Sequence, residues 1–428
     1  MRRLKHIYGN FLEWQKENRS ILILLLAGFV IAVVVVPDCT TPGKYDRRVW
    51  ISWANYMLEN GLQNVYKLGV DYLPVTHYIL YVYALLAGST EAIILNINSL
   101  KLFTFAIELI GIFYVYQFIR ERYKTYRQAA LFCLLILLNP AFLYDSLLYG
   151  QWDGIYTTLV FMSFYYATRN RLALSILFFF IALNAKIQAL VYLPLIGFVC
   201  LEHMIEKFEP GKVLKAFIPM IIFQVLILLP FALTGDLLKV YHVAVNMVGR
   251  YPLISMGANN FWFFIFENPV RELDVQGHWG LSYNSWGLLT FCLAMMVIFV
   301  PMLIYFIRKI QQKDYFGRYP VDKLLMMGIL IPIVFFYFNT QMHARYAHSA
   351  ILFAGCYALY THRFLIYGLV SVAYFLNLEI ASKILKGNIL EYEQFFMRPR
   401  FVAFLFGIVL IMGLVNLYRG TGRKTISE

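Results

Sequence analysis

The chain reads as a succession of apolar runs separated by short polar breaks, and most runs have the length a helix needs to cross a bilayer. They extend from Ile21 to Pro37, Leu100 to Phe118, Gln128 to Leu147, Ile155 to Thr168, Leu172 to Asn184 and Ala189 to His203. The series continues with Ala216 to Leu233, Trp286 to Ile307, Leu324 to Phe338, Ala347 to Tyr360, Phe364 to Ala381 and Phe401 to Tyr418. This pattern predicts an all-α integral-membrane bundle of about 12 transmembrane helices. A further apolar run, Pro74 to Gly88, is only about 15 residues, too short to cross a ~30 Å core upright, and reads as a juxtamembrane helix that does not span.

That choice sets the alternation of the remaining loops. Arg120 to Arg127, Arg169 and Arg171, Lys207 to Lys215, Arg308 to Lys323, His362 and Arg363, and Arg419 to Lys424 then share a side with Arg2, Arg3, Lys5, Lys16 and Arg19. The positive-inside rule makes this side cytoplasmic, with both termini on it. The loop carrying Lys383, Lys386, Arg398 and Arg400 falls on the other side against the rule, through a lipid phosphate or a miscounted late helix. The expected plan is a cytoplasmic N-terminus (1–20), one membrane domain (21–418) and a short basic tail (419–428). The outer side receives two large segments, 38–99 and 234–285. The first apolar run is flanked by charge, lacks a small-residue cleavage pattern and reads as a signal anchor.

Composition strengthens this picture. With 61% hydrophobic and 14% charged residues, the chain lies far from a soluble domain. Its net charge of +13 is dispersed in short clusters between apolar runs, which excludes a nucleic-acid partner and leaves membrane lipids. Of five cysteines, Cys133, Cys200, Cys292 and Cys356 lie in apolar spans and Cys39 outside them, so no disulfide framework is implied.

Nearly all acidic, His and amide-bearing motifs fall on the outer side. Residues 45–57 place Val49, Trp50, Trp53, Tyr56 and Met57 on one helical face, predicting an interfacial helix with tryptophans at headgroup depth between Pro42-Gly43 and Gly61. Asp46 sits in its first turn, where it suits a helix cap or a functional carboxylate. Asp71, before Pro74, suits a turn or a site. Asp145, Gly150-Gln151-Trp152-Asp153, Lys186 with Gln188, Tyr251 to Ser255, Asn259-Asn260-Phe261-Trp262 and Met342 to Tyr346 follow at later outer ends. Ionisable groups at spans are costly unless paired or solvated, so Asp145, Asp153, Lys186, His343 and Arg345 are candidates for function or for structural ion pairs. His77, His242, His278 and His348 have no metal-binding spacing, and neither a phosphate loop nor an HExxH motif occurs.

Carboxylates mixed with Lys, Arg and His at an outer interface suit transfer of a lipid-phosphate-linked group to a hydroxyl. The ordered motifs from Tyr45-Asp46 through Asp71 to Pro74, Gly150 to Asp153, Lys186 and Gln188, Tyr251 to Trp262 and Met342 to Tyr346 resemble the GT-C class of membrane glycosyltransferases. The resemblance is nearest to bacterial mannosyltransferase-like members and more distant to dolichyl-phosphate-glucose glucosyltransferases. It implies a GT-C-like bundle with two extracytoplasmic juxtamembrane helices in a bacterial inner membrane, and inverting transfer of a hexose from a polyprenyl-phosphate-sugar to a glycan or lipid-linked acceptor. It further implies Asp46 as general base and Asp71 and Asp153 on sugar hydroxyls, with Lys186, His343 and Arg345 on the lipid phosphate. Asp145, Gln151, Gln188, Tyr251, Asn260 and Trp262 join the expected sugar or acceptor contacts. One departure is Ala344, where the family's Met-His-Glu-Arg-Tyr has Glu. No cofactor is expected, although paired outer carboxylates leave room for a divalent ion. The rival from another class is a secondary transporter or flippase, which predicts charges in broken helices and two related halves, and no repeat is evident by inspection. A surface-polysaccharide polymerase or ligase predicts one dominant outer loop, whereas these motifs are spread over several.

Overall fold

A computed structural model describes residues 2–39, 44–206, 209–246, 251–312, 318–385 and 396–419, with backbone alone for 2–11, 44–45 and 206. The side chains of Arg2, Arg3, Lys5 and Tyr45, and all of Pro42, Gly43, Lys207, Arg250, Lys386 and the 420–428 tail, lie outside the described residues. Each of the 12 predicted segments coincides with helix. Among the described residues eight helices are long and apolar enough to span by length and composition, and a pair bent by 57°, Tyr126–Leu137 and Pro140–Tyr149, is either a broken ninth span or a re-entrant loop. The remaining three, Asp153–Thr168, Leu172–Ala185 and Ser349–Thr361, have 16, 14 and 13 residues. The chain is thus an all-α, multi-pass membrane bundle.

The helices divide by what surrounds them. Asp153–Thr168 and Ser349–Thr361 are buried almost all round, packed against Leu100–Ile119, and carry no clear amphipathic face because they have no lipid or water side. The first span, Pro210–Leu233 and Tyr283–Gln312 instead expose most of their apolar surface, including Leu26, Val30, Val34, Val225, Leu226, Leu289 and Met296. A bilayer is the solvent that such a girdle requires.

The two ends of the bundle differ in chemistry. At one end Glu17 pairs with Arg120 at 2.8 Å, and Glu202 accepts from the Tyr305 hydroxyl (2.9 Å) and the Tyr319 amide (2.7 Å). Lys323 at this end donates to the carbonyls of Asn416 and, at 2.7 Å, Arg419. The opposite end gathers the acidic and amide motifs. Arg400 lies there, its Nε donating to the Phe263 carbonyl at 3.0 Å, so the helix Pro399–Tyr418 starts at the motif end and finishes at the basic end.

At the motif end, helix Lys44–Asn60 packs on the turn Leu62–Leu68 and on helix Pro74–Ala87. Its predicted apolar face is real, and Trp50 and Trp53 on it are buried against protein. Trp50 meets Trp152 edge-on at 5.7 Å, while Trp53 meets Tyr72 and His77 at 5.8 and 5.3 Å.

Candidate functional site

Lys44–Asn60 presents Asp46, Val49, Trp50 and Trp53 to a cavity of about 710 Å³, within the range of ligand sites. Opposite walls come from Asp71 and Tyr72, from Tyr149, and from Lys186 and Gln188. Two-residue strands Ser255–Met256 and Met342–His343 pair in parallel and close the wall that holds Tyr251, Met256, Gln341, His343, Arg345 and Tyr346. Gln341 stands at φ +62°, a costly backbone setting for a non-glycine residue. Its amide donates to the carbonyl of Leu253 (3.0 Å) and its side chain to Asp274 Oδ2 (2.7 Å), which hold it there.

The charges form a chain into the wall. Asp46, about one-third exposed, accepts from Gln151 Nε2 at 3.0 Å and has Arg345 Nη1 at 4.0 Å. Arg345 Nε lies 3.2 Å from Asp153 Oδ2, whose other oxygen accepts from Lys186 Nζ at 2.6 Å. Asp153 is fully buried, so it pairs with two buried cations from behind, offsetting one of their two charges, and does not itself line the cavity. Burial pushes the Lys186 ammonium down to about 8, against the pull of the Asp153 carboxylate. Burial, helped by Arg345 and Lys186, holds His343 well below its usual range, so it faces the cavity as a neutral imidazole. Its ring meets that of Tyr251 at 6.0 Å and 90°.

The sequence candidates therefore separate into two groups. Asp46, Asp71, Lys186, Gln188, Tyr251, His343 and Arg345 line the cavity, while Gln151 and Asp153 support those residues from behind. Asp145 lies deeper, fully buried, with His348 Nδ1 at 3.2 Å. Asn260 and Trp262 do not line the cavity: Asn260 Nδ2 donates to the Phe336 carbonyl and Trp262 Nε1 to that of Phe338, each at 2.9 Å. The C-terminal carbonyls of helix Val321–Phe338 lack helical partners, and these two side chains satisfy them. Ala344 is 3% exposed beside Gly257.

Three participants carried no motif signal. Asn377 donates to the Ala344 carbonyl (2.7 Å) and accepts from the Asn259 amide (2.8 Å), tying two outer segments together. Glu108 and His348 meet at 3.0 Å in the bundle centre. Glu108 was detectable as a lone carboxylate inside an apolar run. Among the described residues no group of three or more His, Cys, Asp or Glu is arranged to hold a metal ion. No protein-family profile matches the chain, and no curated protein matches it either.

Proposed function

We propose that the chain is a GT-C-type, mannosyltransferase-like enzyme moving a hexose from a polyprenyl-phosphate-sugar to a hydroxyl of a lipid-linked or surface-glycan acceptor. The observation that supports this reading is one cavity faced by a partly exposed carboxylate, Asp46, and two cations, Arg345 and Lys186. In it Asp46 takes the acceptor's hydroxyl proton as that oxygen bonds to the sugar's C1. The bond from C1 to the phosphate oxygen breaks, and the polyprenyl phosphate leaves with the electron pair. Attack opposite the leaving group inverts C1. Arg345 and Lys186 stabilise the developing phosphate charge, and neutral His343 contributes a hydrogen bond. Asp71, Gln188 and Tyr251 contact sugar or acceptor hydroxyls.

In this reading the three short helices also span, giving 12, with Lys44–Asn60 and Pro74–Ala87 as juxtamembrane helices. The motif end then faces the outside of a bacterial inner membrane, and both termini are cytoplasmic. A transporter or flippase of a lipid-linked or sugar substrate is the second reading, favoured by the 57° break next to buried Asp145. Liposomes holding the purified protein, radiolabelled polyprenyl-phosphate-hexoses and a panel of hydroxyl acceptors separate the two. Label appearing in an acceptor supports transfer; intact labelled lipid crossing the bilayer without cleavage sinks it in favour of transport.

A further inference from the structure

Beneath the cavity floor lies a charged group that the proposed reaction does not use. His348 Nε2 lies 3.0 Å from Glu108 Oε1, and His348 Nδ1 lies 3.2 Å from Asp145 Oδ2. All three residues are no more than 2% exposed. A neutral imidazole carries a proton on one nitrogen only, so the other would point a lone pair at a carboxylate oxygen in a poorly solvated interior. An imidazolium donates to Glu108 from Nε2, meets Asp145 through Nδ1 as an ion-pair contact outside hydrogen-bond alignment, and offsets one of their two charges. The groups around it agree in sign: Glu108 from helix Leu100–Ile119, Asp145 from Pro140–Tyr149, and Asp153 from Asp153–Thr168. Tyr374 approaches from Leu365–Ser382 with its ring at 5.9 Å, and two cations act on Asp145, Arg345 on the same turn as His348 and Lys186 across Asp153.

The bridge also joins the two segments that converge on Asp46. The His348 amide donates to the Arg345 carbonyl at 3.0 Å, and the Asp145 carbonyl accepts from the amides of Gly150 (2.8 Å) and Gln151 (3.1 Å). Gln151 and Arg345 are the two side chains at Asp46. We propose that His348 is an imidazolium stapled between Glu108 and Asp145, and that this staple is a positioning device setting Gln151 and Arg345 on Asp46.

Nitrogen NMR of the ¹⁵N-histidine-labelled protein at neutral pH tests the charge without any assay of activity. His348 is assigned by loss of its signal in His348→Gln and, should that variant not fold, by the shift of its signal in Glu108→Gln. Two protonated ring nitrogens are expected; one bare nitrogen overturns the staple. The positioning arm rests on the transferase reading above. At equal folded protein, His348→Gln is expected to lower kcat about tenfold or more while leaving donor KM within about twofold. An unchanged kcat overturns the positioning role. Should the wild type transfer no sugar, the transferase reading fails and with it the positioning role, whereas the NMR result still decides the imidazolium.

Discussion

At Asp46 the local sequence left two readings open, a helix cap or a functional carboxylate, and the structure supplies partners from elsewhere in the chain. Gln151 and Arg345, 105 and 299 positions downstream, both meet one of its oxygens. Such convergence was legible as order and sidedness of motifs but not as distance, because no local pattern encodes which outer ends touch. For Lys186 the consequences are chemical. Its ammonium, pushed down to about 8, is protonated below that pH, and in the proposed reaction it would meet the lipid phosphate there as a point charge. Donor KM is therefore expected to rise as pH climbs through about 8, and Lys186→Met to abolish this limb; a flat donor KM across that range would contradict a phosphate contact by Lys186. Trp262 teaches the opposite lesson. Its position suited a sugar platform equally well, and the decisive fact, an orphan carbonyl at the end of a distant helix, lies outside any local window.

The apolar runs made the helices legible as elements, down to the three that are too short to be assigned as spans by length alone. What the runs hid is the packing between them. Helix Asp153–Thr168 fits against Leu100–Ile119 because Gly154 leaves room for a carboxylate: a Cβ there would lie 2.0 Å from Glu108 Oε1. Gly154→Ala is therefore expected to displace Glu108 from His348 and lower stability by roughly 1–3 kcal/mol, with thermal unfolding in detergent as the measurement. An unchanged midpoint would mean the helices separate at no cost. By contrast Gly197, with nothing within 4 Å of an added Cβ, should accept alanine without loss.

Across the whole molecule, the physical division is between an apolar girdle, a basic end and a motif end. The girdle was read directly from hydropathy, and the two ends from the alternation of Lys and Arg. Asp145 was read as a candidate, but its meeting with Glu108 and His348 was not, since the three come from separate segments and meet only after folding. Val225, exposed on the span Pro210–Leu233, faces the girdle's surroundings. Val225→Arg is expected to cost insertion about 2.5–3.5 kcal/mol, read from the membrane-integrated fraction in a translocon assay. Full integration of that variant would mean the face does not meet lipid.

In the proposed reaction Asp46 draws a proton from a hydroxyl in a cavity whose cations hold a lipid phosphate. The most direct measurement is transfer from a labelled polyprenyl-phosphate-hexose by wild type and Asp46→Asn, reconstituted at equal folded amounts. The isosteric amide keeps a partner for Gln151 and removes the base, so a loss of roughly a hundredfold or more in kcat is expected. Equal turnover by the two proteins would contradict it and return Asp46 to a helix cap.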